Sequence, residues 1–306
     1  MPIPGGRGPQ QTRIARDLQE QAKHMRLVTY KDRDRSRKPG VLLGEEIIDI
    51  SDQVADVRSL IEQGPDALNK LRNFLKGKTR RVPLAAVELL APLQNPPRIF
   101  CLGLAYRDHA IETHQEIPKV PTIFLKLTSA LTGPRSTVVL PKLTQQPDYE
   151  AEFAFVIGTG GKSISAEAWE KHIFGYTIMN DVSARDVQMS TSQWSLGKSF
   201  DTFGPLGPAI VTKDEVPDPH ALDIKLTIGG EVLQHSNTRE LIFRIPDLIA
   251  YLSAIAPLKA GDIVSTGTPA GVGLGRTPHR WLRPGETIVT EVESLGQLAN
   301  PVIAQV

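Results

Sequence analysis

A chain of 306 residues with 40% hydrophobic residues is long enough to bury a sizeable core, as one large domain or two smaller ones. Its 35 basic and 34 acidic residues nearly cancel, which gives no broad positive field for nucleic acid or an anionic membrane. The single cysteine, Cys101, excludes an internal disulfide, and no apolar run reaches the roughly 20 residues of a membrane helix. We therefore expect a cytoplasmic protein that binds a small molecule.

The first 24 residues carry arginines but no apolar segment of the kind found in signal peptides. Asp17 and Glu20, together with the lack of serine, also argue against a transit peptide. We interpret residues 1–24 as a tail or as an arm that contacts another subunit.

Residues 25–95 have the pattern of a small α/β domain. A Pro-containing break at residues 93–97 ends it. The predicted strands are 26–30, 40–44 and 46–50, and the predicted helices are 54–63 and 65–75.

Residues 96–306 are expected to form a second, larger domain that is rich in strands. Helical segments are few, at 106–113, 166–173 and 245–255. Because strands and helices do not alternate regularly, a doubly wound sheet is disfavoured, and we predict an α+β fold with a β-roll or β-sandwich. The predicted strands are 99–104, 122–127, 137–140, 150–157, 175–180, 208–212, 223–233 with a hairpin turn at Gly229 and Gly230, 262–265 and 287–292.

Two carboxylates stand at the head of the apolar run 150–157. Alternate side chains of a strand point to the same face, so Glu150 and Glu152 should lie side by side. Like charges in an apolar setting are unfavourable unless one is protonated or a cation lies between them. With Asp181 at the end of another apolar run, these oxygen donors suit Mg²⁺ or Mn²⁺. The alternative is that both glutamates lie on the solvated face of an edge strand and Asp181 caps a turn.

A second candidate group is His109 with Glu112, three residues apart on a predicted helix and hence on one face. A carboxylate beside an imidazole orients it and can prepare it as a general base. Lys198 lies in a Gly-flanked loop, from which it could stabilise an oxyanion. Taken alone, a surface His-Glu pair and a solvated lysine are the more common explanations of these residues.

A glycine-dense loop follows the predicted strand 262–265, at residues 266–273. Such a loop lets backbone amides approach a ligand closely. The spacing of Gly271, Gly273 and Gly275 does not fit a dinucleotide-binding motif, and Ser192 replaces the first glycine of a phosphate loop that would end at Ser199. A nicotinamide cofactor and a phosphate-binding loop are therefore disfavoured.

Several short motifs, in this order between residues 98 and 302, together resemble the fumarylacetoacetate hydrolase family. Residues 25–93 are similar to the N-terminal segment of the family's bacterial-type and mitochondrial members. The motifs are Tyr106–Glu112, Phe124–Lys126, Asp148–Glu152, Asn180–Gln188, Gly197–Asp201, Thr266–Gly273 and Asn300–Val302.

The resemblance implies a mixed β-roll catalytic domain at 96–306 after a small domain at 25–95, and a homodimer. It also implies one Mg²⁺ or Mn²⁺ per subunit, with the metal ligands Glu150, Glu152 and Asp181. The other implied roles are His109 with Glu112 activating water, Lys198 stabilising charge, and Tyr106, Arg185, Gln188 and Thr268 contacting the substrate. Where many relatives have asparagine, this chain has Ala105, which would remove a hydrogen-bonding amide near the mouth of the site.

The function implied is that of a hydrolase or lyase acting on a 2-oxo or 2,4-dioxo acid through a metal-stabilised enolate. Hydrolysis of a carbon–carbon bond, of the acylpyruvate or fumarylacetoacetate type, is our leading interpretation. The alternatives are an oxaloacetate-type decarboxylase, an isomerase of unsaturated dicarboxylates, and a non-catalytic member that binds metal and oxo acid.

Overall fold

The computed structural model describes residues 25–77 and 79–306, so the predicted tail at 1–24 lies outside the described residues. Strands dominate these residues, and both parallel and antiparallel pairs occur. The prediction of a strand-rich α+β fold with mixed sheets is confirmed. Within the same two ranges, no helix has the length and apolar character needed to cross a bilayer.

The N-terminal segment begins with an antiparallel meander, followed by two helices. The first helix starts at a capping box, in which Asp56 accepts a hydrogen bond from the Ser59 amide. The elements are β1 (Arg26–Lys31), β2 (Arg37–Leu43), β3 (Glu46–Asp49), α1 (Val57–Glu62), α2 (Pro65–Leu75), β4 (Arg81–Pro83) and β5 (Glu88–Leu90).

The remainder of the chain consists mainly of short strands connected by loops and short helices. In chain order these elements are β6 (Ile99–Gly103), α3 (Arg107–Glu112), β7 (Thr122–Leu125), β8 (Leu131–Thr132), β9 (Val138–Leu140), β10 (Pro147–Asp148), β11 (Ala151–Ile157), α4 (Trp169–His172), β12 (Ile173–Asn180), β13 (Ser183–Ala184), α5 (Arg185–Gln188), β14 (Gly204–Thr212), β15 (Asp223–Ile228), β16 (Glu231–Asn237), α6 (Ile245–Ile255), β17 (Ile263–Ser265), β18 (Thr287–Val292) and β19 (Gly296–Ala304).

One large sheet joins strands from both parts of the chain, in the order β4-β3-β2-β1-β14-β12-β11-β17-β6-β7. The N-terminal segment enters it through β1, which pairs with β14 at Arg26 opposite Val211 and Leu27 opposite Ile210. A second sheet has the order β16-β15-β18-β19-β9, and β10 pairs with β13. The boundary near residue 95 between two domains stays a prediction.

Strand β11 lies inside the large sheet and is buried along its whole length. Its alternate side chains enter two different cores: Phe153 and Phe155 belong to one, Ala154 and Val156 to the other. A strand covered on both faces must be apolar at nearly every position, which explains the continuous apolar run in the sequence.

The two cores cover opposite faces of the large sheet. One contains α1 and α2 of the N-terminal segment, through residues such as Leu60 and Leu71. The other contains the second sheet and α6, through residues such as Leu226 and Leu248. The site-bearing strands β11 and β12 are thereby fixed between two apolar layers.

Several strands were not predicted from the sequence, among them β4, β5 and β19. The last contains Asn300 and Pro301, residues that are unfavourable in strands, and it is formed through pairing with β18 and β9. The helix predicted at 166–173 is a 3₁₀ turn at Ala166–Ala168 followed by the short α4. In β19, tertiary pairing outweighs local preference.

His220 accepts a hydrogen bond at the start of α6, where the Ile245 amide lies 3.3 Å from its Nε2. Burial, together with the nearby Arg244 guanidinium, lowers the pKa of His220 below the ordinary value of 6.5. The folded state therefore binds fewer protons than the unfolded state, so the stability that neutral His220 contributes is present above about pH 6.5 and is lost as the pH falls.

Replacing His220 with glutamine should reduce this pH dependence, because the amide oxygen of glutamine accepts the hydrogen bond without titrating. We expect the free energy of unfolding, measured by urea denaturation, to fall less between about pH 7.5 and about pH 5.5 in His220→Gln than in the wild type. An equal loss in the wild type and the variant would contradict this role.

Candidate active site

Three buried carboxylates, those of Glu150, Glu152 and Asp181, lie together at one end of β11 and β12. One oxygen from each lies within 4.8 Å of the others. The Asp181 amide donates to the Glu150 carbonyl at 2.9 Å, so these residues are opposite each other just beyond the paired ends of β11 and β12 and project to the same face. Glu152 projects to that face because it is two residues further along.

Basic side chains surround this carboxylate triad. The Lys198 ammonium lies 2.6 Å from Glu150 Oε2 and 3.0 Å from Asp181 Oδ2. Lys126 Nζ lies 2.7 Å from Asp181 Oδ1, and both side chains of that pair are fully buried. Lys126 matched the family motif in the sequence, but its position gave no indication that it would reach the triad.

One carboxylate oxygen of Glu152 accepts hydrogen bonds and the other has no hydrogen-bond partner among the described residues. Its Oε2 accepts hydrogen bonds from Ser265 Oγ at 2.5 Å and from the Gly267 amide at 3.1 Å. Its Oε1 is buried and has no hydrogen-bond partner among the described residues. Burial, and the neighbouring Asp181 and Glu150 carboxylates, raise the pKa of Glu152 well above its usual range. These surroundings favour the protonated form of Glu152, and a bound cation would remove that preference.

Glu150 has the opposite electrostatic environment. Burial tends to raise its pKa, but Lys198 and Arg185 outweigh that effect and lower the pKa to about 2. The pKa of Lys198 is raised, because the attraction of Asp181 and Glu150 exceeds the cost of burying its charge. Glu150 is thus a carboxylate and Lys198 an ammonium ion at neutral pH.

The donor set of this triad fits a hard divalent cation. All three side chains offer carboxylate oxygens, which Mg²⁺ and Mn²⁺ prefer. The free Oε1 of Glu152 is a buried polar atom that such an ion would satisfy, and the ion would also remove the need to protonate Glu152. The residues could therefore hold the metal that the sequence predicts.

His109 and Glu112 meet on α3 as the sequence predicted, with His109 Nδ1 3.2 Å from Glu112 Oε2. The other oxygen of Glu112 accepts a hydrogen bond from the Gly271 amide at 2.9 Å, so the carboxylate is fixed on both sides. With a proton on Nδ1, Nε2 is the nitrogen that can accept another. His109 lines a cavity of about 300 Å³ that Glu150 and Lys198 also line.

The glycine-rich loop binds acidic side chains of the site through its backbone amides: Gly267 binds Glu152, Gly271 binds Glu112, and Gly273 binds Asp148 at 2.7 Å. The approach of this loop to a ligand stays a prediction. Position 271 requires glycine, because its φ is +102° and a Cβ there would lie 2.1 Å from the Leu233 carbonyl oxygen. The loop therefore positions carboxylates.

Arg185 is held by three neighbours. Its guanidinium lies 2.8 Å from Asp148, 2.7 Å from Glu150 and 3.0 Å from the Gln188 side-chain oxygen. Arg185 and Gln188 both line the cavity, as does Thr268. Their predicted contact with substrate stays a prediction, and the geometry adds a second task for Arg185, which is to orient Glu150.

Tyr106 and Ala105 are buried, with exposed fractions of 0% and 1%, and neither lines the cavity. Ala105 packs against Gly267, where a Cβ would lie 2.7 Å from that of Ala105. The structure does not support the expectation that alanine at this position alters the mouth of the site. Its small size instead lets the glycine-rich loop approach α3.

Gln234 on β16 was not found from the sequence. Its amide donates to Thr268 Oγ1 at 2.8 Å and to the Pro269 carbonyl at 2.9 Å. Its oxygen accepts from the Ala151 amide at 2.9 Å, so one side chain ties the glycine-rich loop to the start of β11. A single glutamine within a hairpin strand carries no local signal of this role.

Comparison with known proteins gives a consistent result. The family model described as fumarylacetoacetate (FAA) hydrolase C-terminal matches residues 98–303. A Xenopus laevis protein named as a mitochondrial oxaloacetate tautomerase is 42% identical over 295 residues, which is 93% of this chain and 92% of the relative.

Solved structures are also similar. A fumarylacetoacetate hydrolase from Exiguobacterium antarcticum has a TM-score of 0.81 at 34% identity, covering 92% of this chain and 100% of the other. A maleylpyruvate hydrolase from Sphingobium, solved with manganese(II) and pyruvate, has a TM-score of 0.79 at 32% identity with the same coverage.

The prediction of a cytoplasmic protein is wrong. Relatives from Xenopus laevis, rat and human are named mitochondrial, which points to the mitochondrion. A lone cysteine and a balanced charge suit any reducing compartment, so composition does not separate the two locations.

Proposed function

The chain belongs to the fumarylacetoacetate hydrolase family, and from that premise we propose that it is an oxaloacetate-type tautomerase, which interconverts the keto and enol forms of a 2-oxo dicarboxylic acid. The observation that carries this proposal is the position of His109, which is oriented by Glu112 and lines the same cavity as the carboxylate Glu150. A base beside a cavity that Lys198 and Arg185 also line is what a proton transfer next to a carbonyl requires.

In the keto-to-enol direction, His109 Nε2 takes a proton from the carbon next to the carbonyl. The electrons of that C–H bond form the C=C bond, and the carbonyl oxygen gains the proton, so no group leaves. Glu112 stabilises the imidazolium that forms, because its carboxylate lies 3.2 Å from Nδ1. The reverse direction uses the same groups with the imidazolium as the acid.

The charges around the cavity favour an acidic substrate with a divalent cation. The buried acids Asp148, Glu150 and Asp181 are matched by the bases Lys126, Lys198 and Arg185, so the Glu152 carboxylate has no counter-charge when it is ionised. A bound Mg²⁺ or Mn²⁺, held by Glu150, Glu152 and Asp181, would supply Lewis acidity that stabilises negative charge on a substrate oxygen. Lys198, fixed between Glu150 and Asp181, adds a second positive charge to the same wall.

A second candidate function is hydrolysis of a carbon–carbon bond in an acylpyruvate-type acid, our leading interpretation from the sequence. The structural similarity to a maleylpyruvate hydrolase solved with manganese(II) and pyruvate supports it. In that reaction His109 would take its proton from water instead of carbon. The relative named as an oxaloacetate tautomerase, which matches 93% of this chain, leads us to rank tautomerisation first.

The test uses the full chain loaded with Mn²⁺ or Mg²⁺ and follows oxaloacetate by NMR and by the ultraviolet absorbance of its enol. We expect faster relaxation between enol and keto forms, with release of pyruvate and CO₂ no faster than with the metal ion alone. Release of pyruvate from an acylpyruvate, with slow tautomerisation, would favour the hydrolase. Release of CO₂ from oxaloacetate above the rate with the metal ion alone would favour a decarboxylase, and no turnover on either acid would favour a binding protein.

A further inference from the structure

A second cavity, of about 280 Å³, lies away from the candidate active site, where the N-terminal helices meet the large sheet. It is lined by α2 on one side and by the ends of β12 and β14 on the other. The triad lies at the opposite end of β11 and β12, because Gly158 follows the last residue of β11 whereas Glu150 precedes the first. At about 3.3 Å per residue, the eight steps from Glu150 to Gly158 place the two sites roughly 26 Å apart along the strand.

The floor of this cavity is apolar. Helix α2 contributes Pro65 and Leu68, and the spacing of Pro65, Leu68, Asn69 and Arg72 places all four on one face of the helix. Phe174 at the start of β12 contributes an aromatic side chain from the sheet. A ligand would therefore bury a hydrocarbon or aromatic body here.

The rim of the cavity is positively charged. It carries Arg72, Lys171 and Lys213 against a single acid, Asp214. Asp214 lies 2.8 Å from Arg72 and compensates that charge. Lys213 donates to a backbone carbonyl, and Lys171 has no ion-pair partner among residues 25–77 and 79–306. Two positive charges at the rim thus remain without a counter-charge.

Inside the cavity, Thr212 offers a polar atom without a partner. Thr212 is one of the residues that line the cavity, it is only 1% exposed, and its Oγ1 has no hydrogen-bond partner among the described residues. A buried hydroxyl without a partner costs free energy, and a rotation about χ1 that brings it to the cavity surface would let a ligand oxygen accept or donate a hydrogen bond there. This observation is independent of the charged rim.

We propose that this cavity is a second small-molecule site that binds a monocarboxylate with an apolar chain or ring. The apolar body contacts Leu68 and Phe174, and the carboxylate lies between Lys171 at the rim and the Thr212 hydroxyl. The volume is at the lower end of the range for small-molecule sites, so an acid of roughly ten non-hydrogen atoms is the size expected. The proposal does not depend on the reaction catalysed at the triad.

Octanoate is the probe, and its binding to the full-length, metal-loaded protein is measured by calorimetry and by saturation-transfer NMR. We expect Thr212→Val to weaken octanoate binding about fivefold and Lys171→Gln about threefold. Lys162→Gln, a matched change of an exposed lysine outside the cavity, should bind as the wild type does. Glu152→Gln should also retain octanoate binding, which would place the ligand outside the active site. Catalytic turnover of the Thr212 and Lys171 variants reports that they are folded.

Acetate and octan-1-ol separate the two parts of the proposal, since one lacks the apolar chain and the other lacks the charge. Both should bind at least about tenfold more weakly than octanoate. The proposal is overturned if octanoate does not bind, if Thr212→Val and Lys171→Gln bind it as the wild type does, or if octan-1-ol binds equally well. Equal binding of inorganic phosphate would assign the rim to simple anions and would also overturn it.

Discussion

Replacing Glu152 with glutamine is expected to lower the affinity for Mn²⁺ by at least about 100-fold while the protein stays folded. The amide oxygen can keep the contacts with Ser265 and Gly267, which lie 2.5 Å and 3.1 Å from Oε2. The substitution removes the negative charge of the carboxylate, which the metal ion requires. The metal-free protein does not require this charge, because burial raises the pKa of Glu152 well above its usual range. Calorimetric titration with Mn²⁺ measures the loss, and Mn²⁺ should raise the melting temperature of the wild type but not of Glu152→Gln.

Glu112→Gln is the matched control, since Glu112 lies beside the cavity but outside the triad, and it should bind Mn²⁺ within about threefold of the wild type. Metal binding by the wild type should also release a proton from Glu152 and should therefore weaken as the pH falls. Near-normal Mn²⁺ affinity in Glu152→Gln would show that the triad is not the metal site.

Replacing His109 with asparagine is expected to slow tautomerisation of oxaloacetate by about 10²- to 10⁴-fold, the usual contribution of a positioned general base. Mn²⁺ affinity should change by less than about threefold, because His109 is not part of the triad. The rates of enol–keto relaxation and the Mn²⁺ titration together measure the two effects. Loss of both in equal measure would contradict the role of His109 as a base.

His114→Asn provides the control on the same segment. His114 is exposed and has a φ of +53°, a backbone conformation that asparagine tolerates well, so this variant should keep both turnover and metal binding. The turnover of Glu112→Gln should lie between those of His109→Asn and His114→Asn, since the substitution weakens the orientation of His109 without removing the imidazole.

Residues that reach the site through regular local patterns could be predicted from the sequence. The period of two along a strand places Glu150 beside Glu152, and helical spacing places His109 beside Glu112. Helices α2 and α6 have the bounds that their apolar spacing and flanking signals predict. In each case the structural information lies within a few consecutive residues.

Other parts of the site depend on long-range packing and could not be read from local patterns. Lys126 reaches Asp181 from the position just after β7, and Gln234 reaches Thr268 from a hairpin in the second sheet. The glycine-rich loop was recognised, but its partners are carboxylates that lie over a hundred residues earlier in the chain. A loop rich in glycine indicates that another group lies close to its backbone, but it does not indicate which group.

The pairing of β1 with β14 has a consequence for how the chain folds. Strand β1 leaves the ribosome early, yet β14 is made much later, so the large sheet is incomplete until most of the chain exists. A protein lacking the N-terminal segment would expose one edge of β14 and the apolar side chains that α1 and α2 now cover, and such edges recruit strands from other molecules. We therefore expect the N-terminal segment to protect the strands of the candidate site from aggregation as well as to support them.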